Sequence, residues 1–344
     1  RELVEQVYKR YAAFVNVNSV ETSETMLARR VFEILACGAP VISSPSPAME
    51  RTFGDIVLTP TSKEDALETG QRLLNDLVYR EDLASRGVRL VHSHHTYAQR
   101  MGEVCDRAGL PYVARKPKLV SAICVSYRPE FLEHVHAQLA RQNHDHIELI
   151  FVQNSSAFSE EEIAARFSDF NLKILSIPEE KFLADGLNAA LEVASGDYFA
   201  KIDDDDYYGP NYLSDALLAF DYAPAAGVVG KNSFLAYVEA MDQTVLRFPD
   251  KSYRFCRHVH GGTLVWDRRT LEGLEFNPDQ RGTDTWFLDS VRRRGVKIFS
   301  TDPFNFVHVR YADKSRHTWT IDDEEFVSKA INVGTGLREE LFLN

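Results

Sequence analysis

The sequence predicts an α/β protein: a partial Rossmann-like α/β unit, then a larger unit built on a doubly wound, mostly parallel sheet. Apolar runs of strand length alternate with stretches of helical periodicity along most of the chain. Between Gly109 and Leu119 the alternation lapses into a stretch with two prolines and three cations, as a linker would. Beyond it, four strand-like segments are joined by three helical ones, which is most simply a parallel sheet. The expected boundaries are 1–110, a linker at 111–118, 119–320 and a helical tail at 321–344.

In the first unit, residues 14–19 read as a short strand. Ser23 then caps a helix carrying Met26, Leu27, Val31, Ile34 and Leu35 at helical spacing. Gly38 and Pro40 stop it, and Val41-Ile42 open a second strand. Ser62 with Asp65 three residues later starts the next helix, and helical segments follow near 79–88 and 96–108. In the second unit, strand 119–126 leads to a helix with Pro129 in its first turn. Strand 147–153 precedes Ser159-Glu160-Glu161-Glu162, a capping box, and strand 172–176, helix 182–194 and strand 198–202 complete the series.

Composition narrows the function. A length of 344 residues with 44% hydrophobic content leaves room for two cores. Acids exceed bases by 51 − 39 = 12, which argues against a nucleic-acid groove. Cys37, Cys105, Cys124 and Cys256 lie far apart, a pattern of reduced thiols in a cytoplasmic protein rather than zinc or disulfides. No apolar run approaches membrane-spanning length and no signal peptide is visible. A chain beginning at Arg1 reads as a fragment of something longer.

The strand at 198–202 ends abruptly in four carboxylates, Asp203 to Asp206, before Pro210 and the periodic Tyr212, Leu213, Ala216 and Leu217 open a helix. Adjacent carboxylates repel one another, so a cation is expected among them. Oxygen ligands favour Mg²⁺ or Mn²⁺, in a site of one or two carboxylates completed by substrate phosphates. The plainer alternative is a solvated acidic turn. Its place after a buried strand favours a ligand site, because ligands gather at the carboxyl ends of strands in such sheets.

Ordered signals from Leu119 to about Trp319 resemble family-2 glycosyltransferases of the GT-A fold. Ala122-Ile-Cys-Val-Ser-Tyr-Arg-Pro129 is similar to the family's opening strand and turn, and Glu148-Leu-Ile-Phe-Val-Gln-Asn-Ser-Ser156 to its second strand. Leu187-Asn188 and Ser195-Gly-Asp197 precede Asp203-Asp204-Asp205 at the Asp-x-Asp position. Gly282-Thr-Asp-Thr-Trp-Phe287 stands where a Gly-Glu-Asp-x-x-Phe motif is expected, and Arg292-Arg-Arg-Gly295 follows. The resemblance implies transfer of a sugar from a nucleotide-diphosphate donor, with a UDP-sugar first among the donors, to a carbohydrate, glycolipid or protein acceptor in polysaccharide biosynthesis. It places Asp205 on the metal, Asp203 on metal or ribose, and Asp284 as the base of an inverting displacement. Asp206 is expected to face away or bond locally. Donor contacts fall on Ser126, Tyr127 (against the base), Arg128, Gln153, Asn154, Asp185, Asn188, Asp203 and Asp204. Acceptor contacts fall on His260, Gly261, Gly262 and Trp286, and His317 or His308 is a third metal ligand, with His317 preferred.

The chain departs from the pattern at Gln153-Asn154, where two acids are usual, at Leu187 in place of an arginine, and at Thr283 in place of an acid. These leave the donor nucleotide open. The first unit, through Arg30-Val-Phe-Glu-Ile-Leu-Ala-Cys-Gly-Ala-Pro40, resembles the carboxyl-terminal half of CgeB-like GT-B glycosyltransferases. Glu33 stands there at a ribose-contacting position, but the partner domain of a GT-B site is missing from this sequence. Two other readings stay open: a helix-terminal carboxylate role for Asp284, and a non-catalytic carbohydrate or protein-interaction module on a degenerate transferase fold. A sugar nucleotidyltransferase would need a glycine-rich phosphate loop, which Ser126-Tyr-Arg-Pro129 lacks.

Overall fold

The computed structural model describes residues 6–114, 116–277, 282–313 and 321–343. The chain divides between Arg115 and Lys116 into two compact units.

In the first unit, strands β1 (Phe14–Asn16), β2 (Val41–Ser43) and β3 (Val57–Leu58) form a parallel sheet in that order. The helix expected from Ser23 begins instead at Arg29 and runs to Ala36. The Ser23 hydroxyl is spent on a local turn, accepting from the Met26 N–H at 3.0 Å. Ser62 does cap the helix Lys63–Asn75. The segment expected near 79–88 is one long helix, Leu77–His94. Gly87 inside it lies against Leu35, where an added Cβ would come within 2.9 Å of that side chain, so a glycine there permits close helix packing. The unit's last helix, Tyr97–Ala108, carries a Thr96–Gln99 capping box and ends at Gly109 in the left-handed conformation (φ +65°).

The second unit is built on two sheets. Strands β4 (Val120–Ser126), β5 (Ile147–Gln153), β6 (Asn171–Ser176) and β7 (Tyr198–Lys201) lie parallel in the order β7-β4-β5-β6. The short β8 (Tyr207–Tyr208) follows the acid run. Strands β9 (Ala226–Gly230), β10 (Phe234–Val238), β11 (Gln243–Arg247), β12 (Arg254–Cys256), β13 (Val265–Asp267), β14 (Lys297–Ser300), β15 (Phe306–Arg310) and β16 (Ile331–Thr335) complete the set. The main sheet runs β12-β14-β9-β13-β7-β4-β5-β6; a smaller one runs β16-β11-β10-β15-β8. It is the mostly parallel, doubly wound arrangement the sequence predicts.

Alternation along β4 sorts the core. Ala122 and Cys124 face one apolar cluster with Val135, Leu139 and Ile163, while Ile123 faces another with Ala184, Leu187 and Phe287. Helices therefore cover both faces, as buried parallel strands require. Leu187, standing where the family has an arginine, is a fully buried core residue. Among the described residues of 321–344, expected as a helical tail, helical structure is limited to the short helix Asp323–Val327 and a 3-10 turn at Glu339–Leu341, and between them β16 pairs antiparallel with β11. The β-branched Ile331 and Val333 suit that edge, and the pairing satisfies backbone that a helix would otherwise have to satisfy internally.

A buried carboxylate ties the parallel strands together. Glu148 on β5 accepts from Ser121 Oγ (2.5 Å) on β4 and from Ser195 N and Oγ (2.9 and 2.7 Å), and pairs with Lys173 Nζ (2.5 Å) on β6. Burial pushes its carboxyl up, but these donors outweigh burial and hold it at about 2. The folded value lies below the unfolded one, so its stabilisation is present above about pH 4.5 and is lost as pH falls toward 2. We expect Glu148→Gln to lower stability by about 2 kcal/mol at pH 7 and to shrink that deficit as pH falls below 4.5, read from urea midpoints at both pH values. An equal deficit at pH 3 and pH 7 would show the charge to be immaterial.

Candidate active site

The run Asp203–Asp206 leaves the end of β7, and its members turn to different partners. Lys201, the last residue of β7, is 2% exposed. Its Nζ lies 2.5 Å from Asp203 Oδ1, 3.3 Å from the Gly261 carbonyl and 3.7 Å from Asp284 Oδ1. Asp204 accepts from Ser126 Oγ and takes a two-pronged pair from Arg128, which also reaches Asp205 at 2.9 Å. Asp206 is buried and, rather than bonding locally, is held by β15, through His308 Nδ1 at 3.0 Å and the Val309 N–H at 2.9 Å. The repulsion that the sequence implied is thus met in part by Arg128, Lys201 and His308. Burial still pushes the Asp204 and Asp205 carboxyls up, aided by the charge of Asp205 on the first and of Asp206 and Asp203 on the second.

Asp284 joins the same cluster from 80 residues further along the chain. It is the second residue of the helix Thr283–Arg293, which Gly282 enters in the left-handed conformation (φ +75°). Its side chain lies against Gly261, where an added Cβ would sit 2.0 Å from Oδ2 and 2.9 Å from the Asp284 Cβ. A Cβ on Gly262 would sit 2.9 Å from Asp203 Oδ2 and 2.8 Å from Asp206 Oδ2. The two glycines therefore let one backbone turn pass between Asp284 and the acid run. Asp284 Oδ1 is buried without a hydrogen-bond partner in the protein. Burial pushes its carboxyl up, against the pull of Lys201.

The residues expected at the donor fall into two groups. Ser126, Tyr127 and Arg128 lie at the carboxyl end of β4, where Ser126 and Arg128 reach Asp204, and Gln153 and Asn154 lie at the carboxyl end of the neighbouring β5. Tyr127 is exposed, with the Arg128 guanidinium 5.3 Å from its ring centroid. The Gln153 amide donates to Ser176 Oγ at 2.6 Å. Arg128 Nη1 and Asn154 Oδ1, like Asp284 Oδ1, are buried polar atoms with no hydrogen-bond partner in the protein, as groups awaiting a polar ligand would be. Asp185 accepts from the Phe182 N–H at 3.0 Å as a helix-start carboxylate. The Asn188 amide exchanges two 2.8 Å bonds with the Phe276 backbone. These two are committed within the protein.

Of the residues expected at the acceptor, the His260 ring packs on Phe234 and His308 with centroids 4.5 and 4.7 Å away, and its Nδ1 accepts from the Gly262 N–H. Burial pushes its pKa well down, so the ring is neutral. Trp286 is exposed one turn into the Asp284 helix, beneath Arg293.

A divalent cation fits the donor set in part. Asp203 and Asp205 keep partly exposed carboxylates, 28% and 19%, whereas Asp204 and Asp206 are 6% and 2% exposed. Among the described residues no three His, Cys, Asp or Glu side chains gather as a complete cage. Two carboxylates completed by a substrate's phosphates match the habit of Mg²⁺ and Mn²⁺. His317 lies outside the described residues. His308 is bound to Asp206 instead.

The sequence reading missed Lys201, Tyr208 and Tyr311. Tyr208 OH accepts from the Asp203 N–H at 2.8 Å and donates to the Gly262 carbonyl at 2.7 Å, fastening the acid run to the glycine turn. Tyr311 OH donates to the Asp205 carbonyl at 3.2 Å. The one available signal was a lysine inside an otherwise apolar strand, since a buried lysine needs a partner.

Residues 122–241 match the family model described as glycosyl transferase family 2, and residues 2–106 match one described as glycosyl transferase-like. No curated protein sequence matches the chain. Among solved structures, S. aureus TarS is 15% identical over 56% of this chain, with a TM-score of 0.44. The chain covers 36% of that TarS structure. The 1–349 piece of TarS in complex with UDP-GlcNAc is 16% identical over 61% of this chain and 64% of that one, with a TM-score of 0.46. The mannosyltransferase PcManGT from Pyrobaculum calidifontis, in complex with GDP-Man and Mn²⁺, is 18% identical over 66% and 67%, with a TM-score of 0.45.

Proposed function

We propose that this chain, which carries a family 2 glycosyltransferase segment of the GT-A fold behind a GT-B-like unit, transfers a sugar from a nucleotide-diphosphate donor to an acceptor hydroxyl with inversion. The observation that carries the reading is the convergence of Asp203, Lys201 and Asp284 around the Gly261-Gly262 turn. A divalent ion, Mn²⁺ or Mg²⁺, held by Asp203 and Asp205 would neutralise charge on the departing diphosphate.

The chain's own residues do the rest. Asn154 Oδ1 and Arg128 Nη1, both unpartnered, offer an acceptor and a donor to the nucleotide, and exposed Tyr127 offers a stacking face. The Asp284 carboxylate takes the acceptor proton as the acceptor oxygen bonds to the anomeric carbon. The bond from that carbon to the phosphate oxygen breaks, and the nucleoside diphosphate leaves with the electron pair. Lys201 keeps Asp284 and Asp203 at a fixed separation. The raised proton affinity of Asp284 suits a general base. All these side chains belong to the second unit. In the first, Glu33 is engaged with Arg29 at 3.0 Å on an exposed helix face, and we assign that unit no chemistry.

The test is a thermal-shift series with UDP, GDP and a UDP-sugar, with and without Mn²⁺. Ligand at 100 times Kd adds about 2.7 kcal/mol, and we expect UDP with Mn²⁺ to give the largest shift. No shift with any nucleotide in either condition would leave the chain a non-catalytic module.

A further inference from the structure

At the β12 edge of the main sheet, away from β4 and β5, a cleft of about 420 Å³ opens beside the start of β14. Its lining holds three cations, Arg257, Arg292 and Lys297, and no acid, in a chain of net charge −12. Among the described residues Arg257 and Lys297 form no ion pair, and Lys297 Nζ stands 5.4 Å from the centroid of exposed Phe255. Arg292 pairs with Asp289, yet its Nε is buried without a partner. Phe255 and Val296 add an apolar wall.

One helix joins the cleft to Asp284. The helix Thr283–Arg293 carries Asp284 at its start and Arg292 at its end. Eight residues at 1.5 Å each set them about 12 Å apart. His258, next to Arg257, feels the charges of both Asp284 and Arg292. Guanidinium groups grip phosphate oxygens in pairs, and a lysine adds a point charge.

We propose that this cleft binds a phosphate group of the acceptor, at the far end of the helix that begins with Asp284. The acceptor is then a phosphate-bearing chain rather than a neutral glycan. This rests on the reading that Asp284 faces the acceptor hydroxyl. An apolar wall beside the cations suits a phosphate carried on a carbon skeleton better than a free anion.

The test measures fluorescence anisotropy of a fluorescein-labelled glycerol phosphodiester pentamer with the full chain at low salt. The expected result is binding that weakens with salt and falls at least tenfold in Arg257→Glu/Lys297→Glu, but not in the charge-matched Lys251→Glu/Lys329→Glu. Equal loss in both variants would overturn the site, reducing it to general charge. No loss in the first would leave the cations as guards of an edge strand. Displacement by millimolar orthophosphate as readily as by unlabelled pentamer would reduce it to a free-anion site. Cleft-dependent binding to phosphatidylglycerol vesicles without binding to the pentamer would make the ligand a headgroup and overturn the acceptor assignment. The nucleotide thermal shift is read separately on the parent, so failure of the transfer reading is distinguishable from failure of the cleft.

Discussion

Asp284→Asn is expected to lose 10²–10⁴-fold in turnover while donor affinity changes little, because a positioned general base contributes about that much. The substitution keeps volume, removes a carboxylate that burial already disfavours as an anion, and leaves Lys201 its pair with Asp203. Stability should therefore move by no more than about 1 kcal/mol, within the usual range for helix-terminal charges. The parent's rate should fall as pH drops through a value above the ordinary carboxylate range, since the base must be ionised to accept a proton. Turnover and melting temperature on the one variant decide the matter. An intact rate per folded molecule would return Asp284 to a helix-end role.

Lys201→Met should be the most destabilising single change in the active-site cluster. It leaves Asp203 and Asp284 facing each other with their shared buried cation gone. Breaking a buried pair by removing one partner costs about 3–5 kcal/mol. For a unit of this size that is roughly 6–20 °C in melting temperature. Adding Asp284→Asn should restore part of the loss, because it removes one of the stranded carboxylates; Arg at 201 should restore charge but crowd the Gly261 carbonyl. A Lys201→Met protein that melts with the parent would show the pair to be incidental.

Much of the second unit was legible because its signals are local. Each parallel strand and its following helix announce themselves by period and cap, and the acid run marks its strand end without help from elsewhere. Where local signals mislead, a longer-range partner wins. Ser23 looked like a cap, yet the helix starts at Arg29. Residues 331–335 looked like part of a helical tail until β11 offered an edge to pair with. The residues expected at the donor divide the same way: Asn154 follows β5 with its Oδ1 unpartnered, while Asn188, equally plausible by motif, is bound to the Phe276 backbone, 88 residues away.

By itself the sequence determined the α/β class, the break between the units, the strand-end position of four carboxylates, and the glycine pair that lets backbone approach them. Only the tertiary structure decided how those carboxylates differ. Asp206 is sealed by His308, 102 residues away, Asp204 by Arg128, 76 residues away, and Asp203 is joined to Asp284 through Lys201. Periodicity and capping act over a few residues, so a linear reading recovers them. Charge pairing and burial depend on which distant segments the sheet order brings together, and four identical aspartates acquire separate roles only there.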